Sequence, residues 1–409
     1  MTNPISRLHV CLLTSGRIFE AAFGGEEKFT LALANWLVEH DYEVTVMASR
    51  FANVTAKRWS KTLADEQAKR KFSKQHFRVL RPPYFVYLLS RIILSMLWII
   101  KIVSLNMQTP ISVIHAQDTG YSGLAAVLAG KLLKIPVIIS SHGIRHNTLS
   151  FILHGKLRNI LLKIEFKTDV YTTRNANQVI AVNPSIKEYY EKIIGKNIDF
   201  IPVPINMKNF EYSDISRDQI RTEIGVDETI TLIGYVGRFS PEKNLTMLVR
   251  SFVDAAQYVP TIQLILVGMG EVETQLRNYL KTTSVENRVV FLGVRYDIAK
   301  VLAGLDIFVL PSFAEGLSMS LMEAMASKRA IICSNILANK ILINQNVEGL
   351  VVDPNDEGKL MNAILELAGD KSMRERLAEA ARNSVRQYDE EIVFPKIVGC
   401  YRQLLGNDQ

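Results

Sequence analysis

The sequence predicts an α/β protein with two Rossmann-like domains that face each other across a cleft. Apolar runs typical of buried parallel strands alternate with helix-like stretches, and this alternation occurs twice along the chain. Between the two series lies a turn-rich segment, Ile201–Phe210, that contains two prolines. Since 409 residues exceed the size at which one hydrophobic core stops growing, two domains are expected. We place them at residues 1–205 and 206–390, with a C-terminal helix at 391–409 that crosses back to the first domain.

The first domain opens with a βαβ pattern, in which an apolar run, Leu8–Leu13, precedes an amphipathic stretch, Glu27–Glu39, and a second strand, Glu43–Ala48. It continues with a buried strand at Ser112–His115, a helix at Gly120–Leu133 and a second buried strand at Pro136–Ser140. A short strand follows at Val179–Val182. The second domain has five strands, each followed by a helix-like stretch: Thr231–Tyr235, Gln263–Val267, Val289–Leu292, Asp306–Leu310 and Ala330–Cys333. Ligands bind at the carboxyl ends of such strands, so the loops that follow them are expected to line the cleft.

Composition restricts the class of protein and its compartment. The three cysteines, Cys11, Cys333 and Cys400, are widely separated, which indicates neither a disulfide framework nor a zinc site. No export signal is recognised at the N-terminus, so a cytoplasmic location is expected. The net charge is +7, and the excess of Lys and Arg lies in the first 200 residues. Such a surface attracts an anionic membrane, a phosphorylated acceptor or nucleic acid, but aromatic residues are not interleaved with the basic ones, so no nucleic-acid partner is expected.

The most informative stretch, Asp306–Ala326, carries two glutamates, Glu315 and Glu323, around a predicted helix start. The strand ends at Pro311, and Ser318 is a predicted N-cap. The first turn of such a helix offers unpaired N–H groups and a partial positive charge, which suit a phosphate. Taken alone, the two glutamates are more readily explained as a loop cap and a solvated helix residue than as a binding site.

Two loops of the first domain carry further candidates. The adjacent glycines Gly24 and Gly25 permit close approach of a ligand before the first helix, although a flexible turn explains them equally well and the G-x-G-x-x-G spacing is missing. His142 follows a buried strand and is expected to point into the cleft, where its imidazole can bond a sugar hydroxyl. A satisfied structural histidine is an equal alternative for His142. His115, inside the preceding strand, is predicted to be structural.

Three loops of the second domain complete the set. Gly237 and Arg238 follow a strand, and Lys243 lies five residues beyond Arg238, so the two cations could neutralise a diphosphate leaving group. The loop Gly268–Gly270 permits another close approach. The segment Phe291–Arg295, with Val294 and Arg295 at its end, offers a backbone edge that suits a nucleobase.

Together these residues resemble the retaining glycosyltransferases of family 4, which adopt the GT-B architecture. The resemblance covers nearly the whole chain and rests above all on the motif from Glu315 to Glu323. It implies that Glu323 binds the ribose hydroxyls of a nucleoside diphosphate sugar of the UDP or GDP type, while Glu315 contacts the transferred sugar. Arg238 and Lys243 would hold the diphosphate, assisted by Gly25, and His142 would lie near the reacting sugar.

The resemblance also implies roles for the start of the helix and says whether a metal ion is needed. Four residues would offer backbone N–H groups to the sugar: Gly316, Leu317, Ser318 and Met319. Leu321 would lie beside the phosphates. Similar enzymes use Arg and Lys instead of a bound ion, so no metal and no cofactor is expected. Retention without an enzyme nucleophile implies attack on the face from which the diphosphate departs, with the leaving phosphate as base.

The chain departs from the family pattern at several positions. Ser318 stands where the family often has proline or glycine, and Pro202-Val203-Pro204 replaces a frequent Pro-Asn-Gly turn. The segment Ser334–Ile341 resembles Ile-Pro-Ala-Asn-Arg-Glu, with Leu337 for the proline and Ile341 for the glutamate. The family's donor contacts therefore cannot be carried over to this segment.

One segment bears on the molecule that would accept the sugar. This segment, Tyr84–Val103, is apolar but interrupted by Arg91 and Lys101. The uninterrupted part is well short of the ~20 residues that span a bilayer. With basic residues upstream and a second basic-apolar stretch at Phe151–Phe166, it suits a peripheral membrane element, although a helix packed on the sheet is equally consistent.

These observations predict a retaining glycosyltransferase that moves a sugar from a nucleotide sugar to a lipid-linked or polysaccharide-precursor acceptor at the inner face of the membrane. One alternative is a nucleotide-sugar epimerase of the same fold. The other is a non-catalytic, membrane-bound glycosyltransferase-like subunit, which Leu337 and Ile341 suggest.

Overall fold

The structure is a computed structural model that describes residues 8–14, 25–51, 73–79, 87–144, 158–211 and 213–406. Gly24 and the first part of Phe151–Phe166 lie outside the described residues. The chain divides into two compact units, which we call the first and the second unit. The first comprises Met1–Val203 and Glu391–Gln409, and the second comprises Pro204–Glu390.

The first unit contains a seven-stranded sheet in the order β3-β2-β1-β4-β5-β6-β7, with all pairs parallel. Every residue of β1 and β4 is buried, as expected for central strands that are covered on both faces. Val10 of β1 lies opposite Val44 of β2 on one side and Val113 of β4 on the other. The strands are β1 His9–Thr14, β2 Glu43–Phe51, β3 Ser73–Val79, β4 Val113–Ala116, β5 Val137–Ser141, β6 Gln178–Ala181 and β7 Asp199–Phe200.

The helices of this unit connect successive strands and cover the sheet. They are α1 Gly25–Glu39, α2 Tyr87–Gln108, α3 Tyr121–Leu133, α4 Arg158–Asn175 and α5 Pro184–Ile194. Helix α5 shows why the boundaries fall where they do: Asn183 accepts a hydrogen bond from Ile186 N over 2.8 Å, and Gly195 ends the helix in the left-handed conformation. Within the described parts of the chain, no helix combines the length and apolar character that crossing a membrane requires.

The C-terminal helix, Glu390–Leu404, packs within the first unit through aromatic side chains. The ring of Phe394 lies 6.0 Å from that of Phe29 and 5.7 Å from that of Trp36. Trp36 Nε1 donates to Glu391 over 3.2 Å, and the fully buried Tyr401 lies beneath the sheet strand that carries His115. The last helix is therefore part of the core of the first unit.

The second unit has a six-stranded parallel sheet in the order β10-β9-β8-β11-β12-β13. Its strands are β8 Thr231–Val236, β9 Ile262–Val267, β10 Val289–Gly293, β11 Ile307–Leu310, β12 Ala330–Ser334 and β13 Leu350–Val352. The five strands predicted for this half are confirmed to within a residue or two. The short edge strand β13 was not predicted, and neither were the edge strands β3 and β7 of the first sheet.

The helices of the second unit are α6 Asp214–Ile224, α7 Leu245–Tyr258, α8 Glu273–Leu280, α9 Ile298–Gly304, α10 Met319–Ala326, α11 Leu337–Lys340, α12 Glu357–Gly369 and α13 Lys371–Val385. Side-chain caps begin several of them. Ser213, Asp356 and Asp370 each accept a hydrogen bond from a backbone N–H in the first turn.

A network of charges holds the amino-terminal edge of the second sheet. Asp306 accepts from Leu232 N over 2.7 Å, from Arg217 over 2.9 Å and from Arg221 over 3.2 Å, which ties the starts of β8 and β11 to α6. A cavity of about 430 Å³ opens beside this network and is lined by Arg217, Asp306 and Lys371 among others. The cavity lies at the amino-terminal ends of the strands. The loops that follow the strands lie at the opposite, carboxyl-terminal ends.

His115 should make the stability of the first unit depend on pH. Its Nδ1 lies 2.7 Å from Tyr401 Oη and its Nε2 lies 2.8 Å from Ser140 Oγ. Burial, with a smaller effect of nearby His142, lowers the pKa of His115 from 6.5 to about 3. Below about pH 6.5 the unfolded chain therefore binds a proton that the folded chain does not, so stability falls as the pH falls through this window.

We expect His115 alone to lower the free energy of unfolding by about 2 kcal/mol between pH 7 and pH 5. Urea unfolding followed by tryptophan fluorescence reports on this unit, because all three tryptophans of the sequence, Trp36, Trp59 and Trp98, fall within its residue range. The variant His115→Gln should be less stable at pH 7 but have a flatter pH profile. Parallel profiles for the two proteins would contradict this assignment.

Candidate functional site

Three strand-end loops of the second unit lie side by side through backbone hydrogen bonds. Gly237 N, after β8, donates to Val267 O over 2.9 Å, and Gly268 N, after β9, donates to Gly293 O over 2.8 Å. The carboxyl ends of β8, β9 and β10 therefore form one continuous surface of main chain.

Gly268 is required by this packing. Its φ is 139°, and a Cβ at this position would lie 1.8 Å from Gly237 O. A Cβ on Gly270 would lie 2.3 Å from Phe239 O. The sequence predicts that these glycines admit a ligand, whereas in the structure a neighbouring loop makes the close approach. A contact between Gly268 and the donor stays a prediction.

Lys243 and Glu315 form an ion pair at this edge. Lys243 Nζ lies 2.8 Å from both carboxylate oxygens of Glu315, and the two side chains are 17% and 7% exposed. Ser312 Oγ donates to Glu315 Oε1 over 2.7 Å. The loop after β8 and the loop after β11 are thus joined by a charge pair that is largely removed from water.

Arg238 belongs to the same loop as Lys243 but behaves differently. Its side chain is 79% exposed, and its guanidinium lies 3.7 Å from the carboxylate of Glu242. The backbone of Arg238 is fixed, because its carbonyl accepts from Tyr235 Oη over 2.9 Å. The structure thus brings the two predicted phosphate-binding cations into one loop, with Lys243 in a largely buried ion pair and Arg238 in a solvent-exposed contact with Glu242.

The helix α10 begins as predicted, with Ser318 as its N-cap. Ser318 Oγ accepts from Leu321 N over 3.4 Å. Glu323 is buried, which excludes the alternative that it is a solvated helix residue. Leu321 is fully buried in the core, Leu317 is buried, and Gly316 is exposed just before the helix.

The loop after β10 places its two predicted residues differently. Val294 is exposed, whereas the guanidinium of Arg295 binds the carboxylates of Glu223 and Asp297, the latter over 2.7 Å. The hydrogen bond from Arg295 to Asp297 holds the pKa of the Asp297 carboxyl below its usual value. A nucleobase contact at Arg295 would therefore involve its backbone and not its side chain.

The first unit carries the remaining candidates. Gly25 is the first residue of α1. His142 follows β5, and its Nε2 lies 3.2 Å from Gln117 Oε1 while its ring meets that of Phe29 edge-on at 4.7 Å. Burial lowers the pKa of His142 to about 4, although the Asp118 carboxylate acts in the opposite direction. The imidazole is therefore neutral at pH 7, and an Nε2–H tautomer leaves Nδ1 as an acceptor.

Three polar residues next to these side chains were missed in the sequence. Gln117 follows β4 and bonds His142, Ser312 bonds Glu315, and Asn244 follows Lys243 directly. Each comes just after a strand or a strand-end loop, which is the signal that could have found them. In the residues that the structure describes, no group of three or more His, Cys, Asp or Glu side chains is arranged to hold a metal ion.

Comparison with known proteins places this geometry in a family. The chain matches the model described as Glycosyltransferase Family 4 over residues 23–209 and the model described as Glycosyl transferases group 1 over residues 216–384. It is 26% identical over 282 residues to the UDP-Gal:alpha-D-GlcNAc-diphosphoundecaprenol alpha-1,3-galactosyltransferase of Escherichia coli, an alignment that covers 66% of this chain and 69% of that protein. It is 27% identical over 321 residues to the N,N'-diacetylbacillosaminyl-diphospho-undecaprenol alpha-1,3-N-acetylgalactosaminyltransferase of Campylobacter jejuni, covering 74% and 79% of the two chains.

Solved structures agree in fold. HepE of Anabaena in complex with UDP has a TM-score of 0.76 at 19% identity, with 97% of this chain and 100% of that chain covered. Sucrose-phosphate synthase of Thermosynechococcus elongatus has a TM-score of 0.74 at 18% identity, with 98% and 100% covered. Since the two family models together match most of both units, the chain belongs to the group 1 glycosyltransferases of family 4 and is a glycosyltransferase with the GT-B fold.

Proposed function

We propose that this protein is a retaining glycosyltransferase that transfers a sugar from a UDP or GDP sugar to a polyprenol-diphosphate-linked acceptor at the cytoplasmic face of a membrane. The observation that carries the proposal is the Lys243–Glu315 pair at the strand ends of the second unit, with Arg238 in the same loop. The buried Glu323, which lies on α10 eight residues beyond Glu315, supplies a carboxylate for the ribose.

The donor assignment follows from charge. Departure of a nucleoside diphosphate develops negative charge on the phosphate, and a preorganised cation that meets this charge lowers the barrier. Arg238 and Lys243 are the cations for this role, and we propose that they act without a bound metal. Support comes from HepE, which was solved with UDP and with UDP-glucose, and from the Escherichia coli relative, whose name specifies UDP-Gal.

The proposed reaction breaks the bond between the anomeric carbon and the diphosphate oxygen and forms one to the acceptor hydroxyl oxygen on the same face. The hydroxyl proton passes to the departing phosphate oxygen, so no enzyme nucleophile is needed. Glu315 would hold a hydroxyl of the transferred sugar. His142, neutral at pH 7, would serve the sugar as a hydrogen-bonding group and not as a cation.

The acceptor assignment rests on the relatives and on the helix α2. The Escherichia coli and Campylobacter jejuni relatives are named for diphosphoundecaprenol acceptors. Helix α2 packs through Trp98 onto Tyr121 of α3 and buries Ile102, but it leaves Ile100 and Met107 65% and 82% exposed. An exposed apolar face on a helix that is preceded in sequence by basic residues suits peripheral binding to anionic lipid, which would bring a lipid-linked acceptor to the enzyme.

Removing the donor-binding side chains should abolish transfer without unfolding the protein. We expect Glu323→Ala and Lys243→Ala each to lower the transfer rate by at least about 100-fold, since each removes a contact to charged or hydroxyl groups of the donor. The measurement uses radiolabelled UDP and GDP sugars with polyprenyl-diphosphate-linked acceptors, and circular dichroism checks folding. Glu348→Ala is the matched control, because Glu348 is also buried but lies in a loop before β13. Normal transfer by both site variants would refute the assignment.

The exposed face of α2 should govern binding to membranes. We expect the double substitution Ile100→Gln and Met107→Gln to weaken binding to phosphatidylglycerol-containing vesicles by about tenfold, because two apolar side chains lose their contact with lipid. Vesicle sedimentation measures the bound fraction, and donor binding should not change. Ile215→Gln is the control, since Ile215 is 70% exposed on the second unit. An equal loss in the control, or no loss in the double variant, would contradict the membrane assignment.

A further inference from the structure

The carboxylate of Glu315 is held from two sides, and the two sides differ in kind. Its Oε1 accepts from Ser312 Oγ over 2.7 Å and from Lys243 Nζ over 2.8 Å, whereas Lys243 is the partner of Oε2 among the described residues. We propose that Ser312 is a positioning residue that orients Glu315 for the donor sugar. This inference rests on the donor site proposed above.

The different partners of Oε1 and Oε2 of Glu315 determine which oxygen can bond the sugar when a donor binds. The ammonium of Lys243 must then turn at least partly toward the diphosphate, which weakens its bonds to Glu315. Oε1 keeps the Ser312 hydroxyl, so the carboxylate cannot rotate freely, and Oε2 becomes available to accept from a sugar hydroxyl. Ser312 thus sets which oxygen faces the sugar, without touching the donor itself.

Ser312 is in turn fixed by a chain of buried polar groups. Ser334 Oγ donates to Ser312 O over 2.5 Å, and Asn339 Nδ2 donates to Ser334 O over 2.9 Å and to Ser334 Oγ over 3.1 Å. All three side chains are buried, so water cannot replace these bonds readily. The register of the sheet explains the contact, because Leu310 lies opposite Cys333 and the two serines follow at the same edge.

These buried polar groups connect the segment Ser334–Ile341 to the proposed sugar site. Asn339 lies on α11, in the stretch where Leu337 and Ile341 depart from the family pattern. Leu337 is exposed, whereas Asn339 is buried and directed at Ser334. The role of this segment would therefore be to support Glu315 from behind through Ser334 and Ser312.

The test compares the affinity for a nucleotide sugar with that for the nucleotide alone. With the full-length chain, isothermal titration gives Kd for UDP-glucose, GDP-mannose, UDP and GDP, and the pair that binds the wild type is used for the variants. For Ser312→Ala we expect the preference for the nucleotide sugar over the nucleotide to fall about tenfold, since one hydrogen bond to a charged group is lost. The affinity for the nucleotide alone should stay unchanged, because the nucleotide is held by Glu323, Arg238 and Lys243, none of which is bonded to Ser312 Oγ.

The controls separate positioning from a general effect on folding. Ser327→Ala removes a buried serine whose hydroxyl has no hydrogen-bond partner among the described residues, so it should leave the preference unchanged. Ser312→Thr, which retains the hydroxyl, should restore the preference, and Asn339→Ala should lower it less than Ser312→Ala. If Ser312→Ala does not fold, Asn339→Ala and Ser312→Cys give the same comparison.

The outcomes distinguish this inference from the proposed function. A wild-type protein that binds none of the four ligands would refute the donor site and the inference with it. A wild type that binds, together with a Ser312→Ala variant that keeps the full preference, would overturn the positioning role alone. Equal losses for nucleotide and nucleotide sugar would also overturn it, because they would indicate a structural defect.

Discussion

The ion pair between Lys243 and Glu315 is the interaction on which the strand-end loops of the second unit depend. Removing two charges from water is costly, and only close, well-aligned bonds offset that cost. Alignment comes from Asn244, whose amide donates to Pro311 O over 3.3 Å and to Pro354 O over 2.8 Å. Asn244 also adopts a left-handed conformation with φ of 54°, so the chain turns into α7 directly after Lys243. One asparagine thereby fixes the lysine against the loop that carries the glutamate.

This arrangement suits a protein that must bind a diphosphate and later release it. A lysine left alone in a half-buried loop would be poorly solvated, whereas Glu315 compensates its charge until another anion arrives. On the proposed function, the donor exchanges one anionic partner of Lys243 for another, so the loops need little rearrangement. Arg238 differs from Lys243, because its guanidinium is exposed and is solvated by water before a phosphate binds. The two cations would contribute differently, one preorganised and one recruited.

The centre of each sheet could be predicted from the sequence, and its edges could not. Ile307–Leu310 is a continuous apolar run because both of its faces are covered, so hydrophobicity alone identifies it. The edge strand Ser73–Val79 has the sequence SKQHFRV, which lacks such a run, and its pairing with β2 depends on the rest of the fold. Side-chain partners were equally hidden. The position of Phe291–Arg295 after a strand suggested a backbone edge for the donor, but it did not reveal the side-chain partner of Arg295, because Glu223 is remote in sequence and only the fold brings it near.

The departures from the family pattern at Leu337 and Ile341 are the features that favour a non-catalytic subunit. The structure weakens this argument. Exposed Leu337 contributes no polar contact, but Asn339 between them remains buried and bonded to Ser334. A segment that had lost its connection to the site would have no reason to keep a buried amide, since burying one without partners is costly. The retained bonds run through Ser334 to the loop of Glu315. Asn339 Oδ1 has no hydrogen-bond partner among the described residues, but the bonds from Nδ2 are kept, and they favour an active enzyme over a subunit that only resembles one.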